Sequence, residues 1–167
     1  MKQSIILAIC TITLLANIAF AGTLSEEAAL RGINSVCQSH LEEVEDSYNL
    51  KGLNLTFFHD TDPDAYPSFH TSTEKFYNGA SFFATTLSPD GEYCYISIIK
   101  TTIVNDQNCT AIVQARLDND PSIQAISYGD GNYIHVYPES GIYQMLFIEI
   151  GKNACAITET RMMWPEA

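Results

Sequence analysis

The chain has 167 residues, and 20 acidic against 8 basic side chains leave a formal charge of −12. A balance this negative excludes a typical nucleic-acid binder, which needs basic patches to displace counterions, and it favours attraction to basic partners. The length suits one domain with its own core, and no stretch has the low hydrophobicity and one-sided charge of long disorder.

The chain opens MKQSIILAICTITLLANIAFAG, with one lysine, an apolar run from Ile5 to Phe20, and small residues at Ala19 and Ala21. That layout predicts a secretory signal peptide over residues 1–21, followed by a single domain over 22–167. The apolar run is short of the ~20 residues that a spanning helix needs, so no stable membrane anchor is expected after cleavage. Cleavage removes Lys2 and Cys10 and leaves four cysteines, Cys37, Cys94, Cys109 and Cys155. An even number in an exported chain predicts two disulfides and a periplasmic or secreted location. No spacing is the short C-x-x-C of a zinc or redox site. Of the three pairings, Cys94 with Cys109 and Cys37 with Cys155 is preferred, because it links neighbouring strands and ties the first element to the last.

Residues 25–50 read as one amphipathic helix. Ile33, Val36, Cys37, Leu41, Val44 and Tyr48 recur at three- and four-residue steps, and Glu42, Glu43, Glu45 and Asp46 fill the other side. Thr23 and Glu26 have capping-box spacing, Gly52 is the expected stop, and His40 borders the apolar stripe. Beyond Gly52 the period becomes alternating. LNLTFF, GASFFATTL, EYCYISIIKTTIV, CTAIVQARL, SIQAISY, YIHVY, IYQMLFIEI and ACAITETRMMW are the predicted strands, separated by turn-forming residues. No internal repeat is legible. The expected fold is α+β, with one N-terminal amphipathic helix packed on a mainly antiparallel, meander-like sheet.

The long irregular piece is residues 59–79. It holds the densest group of candidate ligands, His59, Asp60, Asp62, Asp64 and His70. Alternate oxygens invite calcium and paired histidines invite zinc, but Pro63 stiffens the loop and the glycine and closing glutamate of a calcium loop are missing. A solvated acidic loop is therefore the main expectation. A small exported hydrolase or a ligand- or metal-binding protein using this loop is the alternative function. No complete catalytic motif, such as a G-x-S-x-G elbow, and no cofactor motif occurs. Carboxylate pairs such as Glu74 with Glu92 or Glu149 could serve glycoside cleavage only at a separation that spacing does not give.

In YIHVY, Tyr133, His135 and Tyr137 share one strand face and Ile134 and Val136 the other. The tyrosine face either packs beneath the helix or stands outside as a recognition surface, to which tyrosine brings large area at little entropic cost. Acidic turn residues, Asp130 and Glu139 among them, would form a rim that steers a basic partner. The turn Ser140-Gly141-Ile142-Tyr143 resembles, over these four residues, the serine-glycine-to-tyrosine turn of bacterial periplasmic lysozyme inhibitors. That resemblance implies a loop that enters an enzyme's active-site cleft, although the N-terminal helix departs from the small β-barrel of one such family. The expected function is an exported, periplasmic protein-binding module, an inhibitor or immunity protein that occludes a basic toxic or lysozyme-like hydrolase. Tyr133, His135, Tyr137, Ser140 and Tyr143 are its expected anchor, and Asp130 and Glu139 its rim.

Overall fold

Where the apolar period predicts one helix, the chain makes two, α1 (Leu24–Leu30) and α2 (Ser35–Tyr48). The computed structural model describes residues 22–164, so the expected signal peptide lies outside the described residues. Gly32 sits at φ +72°, a conformation that breaks the helix at little cost for glycine alone. Asn34 restarts it, its side-chain oxygen accepting from the backbone N–H groups of Val36 and Cys37. The capping box of Thr23 and Glu26 is present on α1. The end of α2 comes at Asn49, in the left-handed region, rather than at Gly52.

Eight strands follow: β1 (Leu53–Phe57), β2 (Ser68–Phe76), β3 (Gly79–Asp90), β4 (Tyr93–Asn105), β5 (Ile123–Tyr128), β6 (Tyr133–Pro138), β7 (Tyr143–Ile150) and β8 (Ala154–Met163). One expected strand is a helix. CTAIVQARL forms α3 (Cys109–Asn119), started by Asn108, whose side chain accepts from the Ala111 N–H at 2.8 Å. Its β-branched Thr110, Ile112 and Val113 imitate a strand, yet Cys109, Ile112, Val113 and Leu117 meet the core at helical steps. The irregular stretch is also shorter than expected, because β2 begins inside it at Ser68.

All pairings are antiparallel, in the order β1-β2-β3-β4-β8-β7-β6-β5. Two four-stranded meanders therefore join through β4 and β8 at the centre. Each meander is preceded by helical structure, and the helix next to it in the chain is cross-linked to the meander's fourth strand, by Cys37–Cys94 from α2 to β4 and by Cys109–Cys155 from α3 to β8. This corrects the expected pairing of Cys94 with Cys109 and Cys37 with Cys155. Reading 109–117 as a strand places Cys109 beside Cys94 in the sheet; as a helix residue it lies over β8. A repeat absent from the residue pattern is thus present in the topology. Its approximate two-fold axis passes near the pair Ile99 and Thr160, each five residues beyond the cysteine of its strand.

The register fixes which residues share a face. Phe83, Leu87, Ile96 and Ile98 pack with Leu24, Cys37, Leu41 and Val44 of α1 and α2. Val136, Met145, Phe147 and Ile157 pack with Cys109 and Val113 of α3. Since Thr102 opposes Ile157 and Ile98 opposes Arg161, both cores lie on the same side of the sheet. The helices cover one face in two patches, and the other face has no layer over it among the described residues.

Candidate interaction face and the cleft behind it

Burying Ile134 and Val136 against the α3 core turns Tyr133, His135 and Tyr137 to the uncovered side. The choice left open by the sequence is settled by geometry: the tyrosine face does not lie under a helix. Tyr133 is exposed, and the His135 and Tyr137 rings lean together with centroids 4.9 Å apart. The Tyr137 hydroxyl donates to Gln124 Oε1 at 3.2 Å, and the Gln124 amide donates to Glu139 at 3.4 Å, joining the aromatic face to an acidic turn. Asp130 lies in the β5–β6 turn at φ +55°, between Gly129 and Gly131, and is exposed.

Tyr143 departs from this group. It is half-buried and packs on the α3 core, on the opposite face from Tyr133. The anchor expected from five residues is therefore divided. Tyr133, His135 and Tyr137 stand on the open face, Ser140 is exposed in the β6–β7 turn, and Tyr143 lies behind the sheet.

The open face extends well beyond β6. By register and alternation it continues through Tyr128 and Ile126 on β5, Leu146 and Ile150 on β7, Met162 on β8, Ile99 and Ile103 on β4, Phe82 on β3, Phe69 on β2, and Leu53, Leu55 and Phe57 on β1. Every one of these is exposed. Charged side chains on the face are confined to its margins, with Lys75 near the end of β2 and Asp90 at the β3–β4 turn. A hollow of about 420 Å³ in this face is bounded by Tyr128, His135, Gln144, Leu146, Thr158 and Thr160. Part of this is legible in the sequence, because strands such as β6 and β7 carry apolar residues on both faces, whereas β1 and β2 place polar Asn54, Thr56, Ser68 and Ser72 on the helix-covered side.

The candidate ligands of residues 59–70 are not gathered. The His59 ring stacks on Tyr66 at 4.3 Å, and its Nδ1 accepts from the Asp62 N–H at 3.1 Å. Asp64 accepts from the Asn34 amide, and Asp60 is exposed. His70 belongs to β2, fully buried on the helix-covered face, where its Nε2 lies 2.8 Å from Ser68 Oγ and its Nδ1 3.1 Å from Thr56 Oγ1. Among the described residues, no three His, Cys, Asp or Glu side chains form a group able to hold a metal. Glu149, considered as a catalytic carboxylate, accepts from the Cys109 N–H at 2.9 Å and so caps α3. His40 stays at the edge of its stripe, with Nδ1 3.5 Å from Glu43.

A second site, which the sequence did not suggest, lies on the helix-covered side. Between the two packed patches, a cleft of about 610 Å³ runs over β4 and β8. Its walls include Tyr48 from the end of α2, Arg116 from α3, Lys100 from β4, and Glu159 and Arg161 from β8. The Tyr48 hydroxyl donates to Glu159 Oε1 at 2.5 Å. Burial raises the tyrosine's pKa, the Glu159 hydrogen bond and charge raise it further, and Arg161 opposes them, so the hydroxyl stays protonated. Lys100 Nζ sits 5.2 Å from the centre of the Tyr48 ring, and the Arg116 guanidinium 5.9 Å from that of Phe147. Only the topology brings these residues together: Tyr48 and Glu159 are 111 positions apart in the chain.

No protein-family model, no curated protein and no solved structure matches the chain.

Proposed function

We propose that the chain is an exported protein-binding module of the inhibitor or immunity type, which uses its uncovered sheet face to occlude a basic hydrolase such as a cell-wall-degrading enzyme. The observation that carries this reading is the face itself: eight strands wide, with exposed apolar and aromatic side chains on every strand interspersed with neutral threonine, serine and glutamine, and with charge only at its margins. Monomeric proteins rarely leave so extensive an apolar surface bare, and such surfaces mark sites of association. The chemistry of the expected occupant follows from charge. Asp130, Glu139 and Glu92 lie in turns at the sheet ends, within a chain of formal charge −12, so a basic protein is steered toward the face and an anionic membrane surface is repelled. Tyr128, Tyr133, His135 and Leu146 surround or adjoin the hollow that an anchoring side chain of the partner would fill. The two disulfides accord with an oxidising compartment. Among the described residues no helix is long and apolar enough to cross a membrane.

Photo-crosslinking residues placed at Phe82 and Leu146, with Glu43 on the outer side of α2 as the control, test the reading in the native cell envelope. The expected adducts join positions 82 and 146, but not 43, to a basic hydrolase that the purified protein then inhibits stoichiometrically. Tyr133→Ala and Leu146→Asp are expected to weaken that inhibition by about tenfold or more, as truncation at a central contact does. Adducts only between two copies of this chain, or inhibition indifferent to both substitutions, would overturn the proposal.

A further inference from the structure

Three of the chain's eight basic side chains converge on the cleft behind the sheet, in a protein whose acidic residues outnumber basic ones 20 to 8. They come from three elements: Lys100 from β4, Arg161 from β8 and Arg116 from α3. Lys100 and Arg161 occupy equivalent places in the two halves, each six residues beyond its strand's cysteine, so the approximate two-fold axis itself brings one cation from each meander to the floor of the cleft. None of the three has a carboxylate within 4.0 Å among the described residues, although Arg31 and His40 do find one. The carboxylate in the cleft, Glu159, is engaged by the Tyr48 hydroxyl. Three cations against one carboxylate leave an excess of two positive charges around a concavity of about 610 Å³.

The remaining walls say what else the occupant carries. Val104, Ile112 and Ile157 give the cleft an apolar side, while Thr102, Gln107 and Ser47 offer neutral hydrogen-bonding groups. Inorganic phosphate alone would leave the apolar wall wet. A cleft of this size accommodates a metabolite-sized molecule. Arginine and lysine together suit a doubly charged oxyanion, through forked N–H donors from the guanidinium groups and a mobile point charge from the ammonium.

We propose that this cleft binds a small organic dianion, a phosphate monoester or a dicarboxylate, with its charged groups held by Lys100, Arg116 and Arg161 and its apolar body against Ile112 and Ile157. The site is on the opposite side of the sheet from the proposed partner face, so each can fail without the other. Binding across the axis joins residues of both halves and therefore stabilises their junction whenever ligand is present.

The test is a titration of the full domain followed through the arginine Nε–Hε and lysine Nζ side-chain resonances, with four probes: phenyl phosphate, isophthalate, benzoate and inorganic phosphate. The expected result is saturable movement of the Lys100, Arg116 and Arg161 signals with phenyl phosphate or isophthalate. Benzoate, of similar body and single charge, and inorganic phosphate, without a body, should bind about tenfold more weakly. Which of the two dianions binds tighter separates the phosphate source from the dicarboxylate one. Arg116→Gln and Lys100→Gln should each cost about tenfold in affinity, and Lys75→Gln, at the far end of β2, nothing. Glu159→Gln keeps an acceptor for Tyr48 while removing the competing charge, so it should tighten binding, a gain that a merely structural role would not produce. Absence of saturable shifts at these three residues with both dianions overturns the proposal, as does equal binding of benzoate or indifference to both Arg116→Gln and Lys100→Gln.

Discussion

His70 shows how strongly the fold can alter the chemistry of one side chain. Read in the sequence, it closes an acidic loop and is a candidate ligand; in the fold it lies fully buried between the hydroxyls of Ser68 and Thr56. Burial disfavours the charged ring and pushes its pKa down to about 4. The unfolded chain, by contrast, takes up this proton at about pH 6.5. Between those values the unfolded state binds a proton that the folded state refuses, so stability is fully present above pH 6.5 and falls as the pH drops toward 4. The loss amounts to roughly 3 kcal/mol once both pKa values are passed. Carboxylates titrate in the same range, so the informative quantity is a difference. Urea unfolding of His70→Asn, set against the parent at several pH values, should show a shallower decline over this window. Parallel declines would mean that His70 is not the group responsible. The misreading has a local cause: the turn residues before Pro67 conceal the point at which alternation resumes, and SFHTSTEKF places polar residues on a face that proves to be buried.

At the level of elements, the strands were largely legible because alternation and turn residues carry them, whereas the helices were not. The single predicted N-terminal helix breaks at Gly32, and its shorter half is held by a residue that the amphipathic pattern assigned to solvent. Glu45 is buried, and its carboxylate accepts from the Leu24 N–H, from the Ser25 N–H at 2.9 Å, and from the Ser25 hydroxyl. These are groups at the start of α1, where helical N–H donors lack partners and negative charge is favoured by the helix dipole. A helix of seven residues is not stable alone, so this contact, with Leu24 and Ala28 in the core, fixes α1 on α2. Glu45→Ala removes the acceptor from three donors at once and should cost about 2 to 4 kcal/mol, whereas Glu45→Gln, which keeps one acceptor oxygen, should cost clearly less. Chemical denaturation measures both costs, and loss of α1 alone would appear as rapid amide exchange confined to its residues. A helix-wheel argument could not find this pairing, since it depends on how one helix folds back on the next. The α3 error has the same character: Thr110, Ile112 and Val113 give the segment a strand-like composition, while the helix start at Asn108 and the core contacts at helical steps become visible only in the fold.

At the scale of the whole molecule, the duplicated plan accounts for what the sequence concealed. Strand identity could be read residue by residue, but the order β1-β2-β3-β4-β8-β7-β6-β5 depends on two meanders meeting at their last strands, a relation with no local signature. The same relation sets the disulfides, creates the basic cleft at the junction, and, among the described residues, leaves the opposite face open across all eight strands. It also implies uneven stability. Two separate cores, one under α1 and α2 and one under α3, are joined by the β4–β8 ladder, and α2 and α3 are each pinned to their own meander by one cystine. Cys109 and Cys155 are 46 positions apart, and a cross-link closing a loop of that size restricts the unfolded chain by about 4 kcal/mol in the chain-entropy treatment. Removing it should therefore loosen one half selectively. Hydrogen exchange of Cys109→Ala/Cys155→Ala is expected to show lost protection in α3, β5 and β6, while α2, β2 and β3 keep theirs, because their core and the Cys37–Cys94 bond are untouched. The central strands should report an intermediate loss, since β4 belongs to the intact half and β8 to the weakened one. A uniform loss across all eight strands would instead mean that the ladder welds both cores into one cooperative unit.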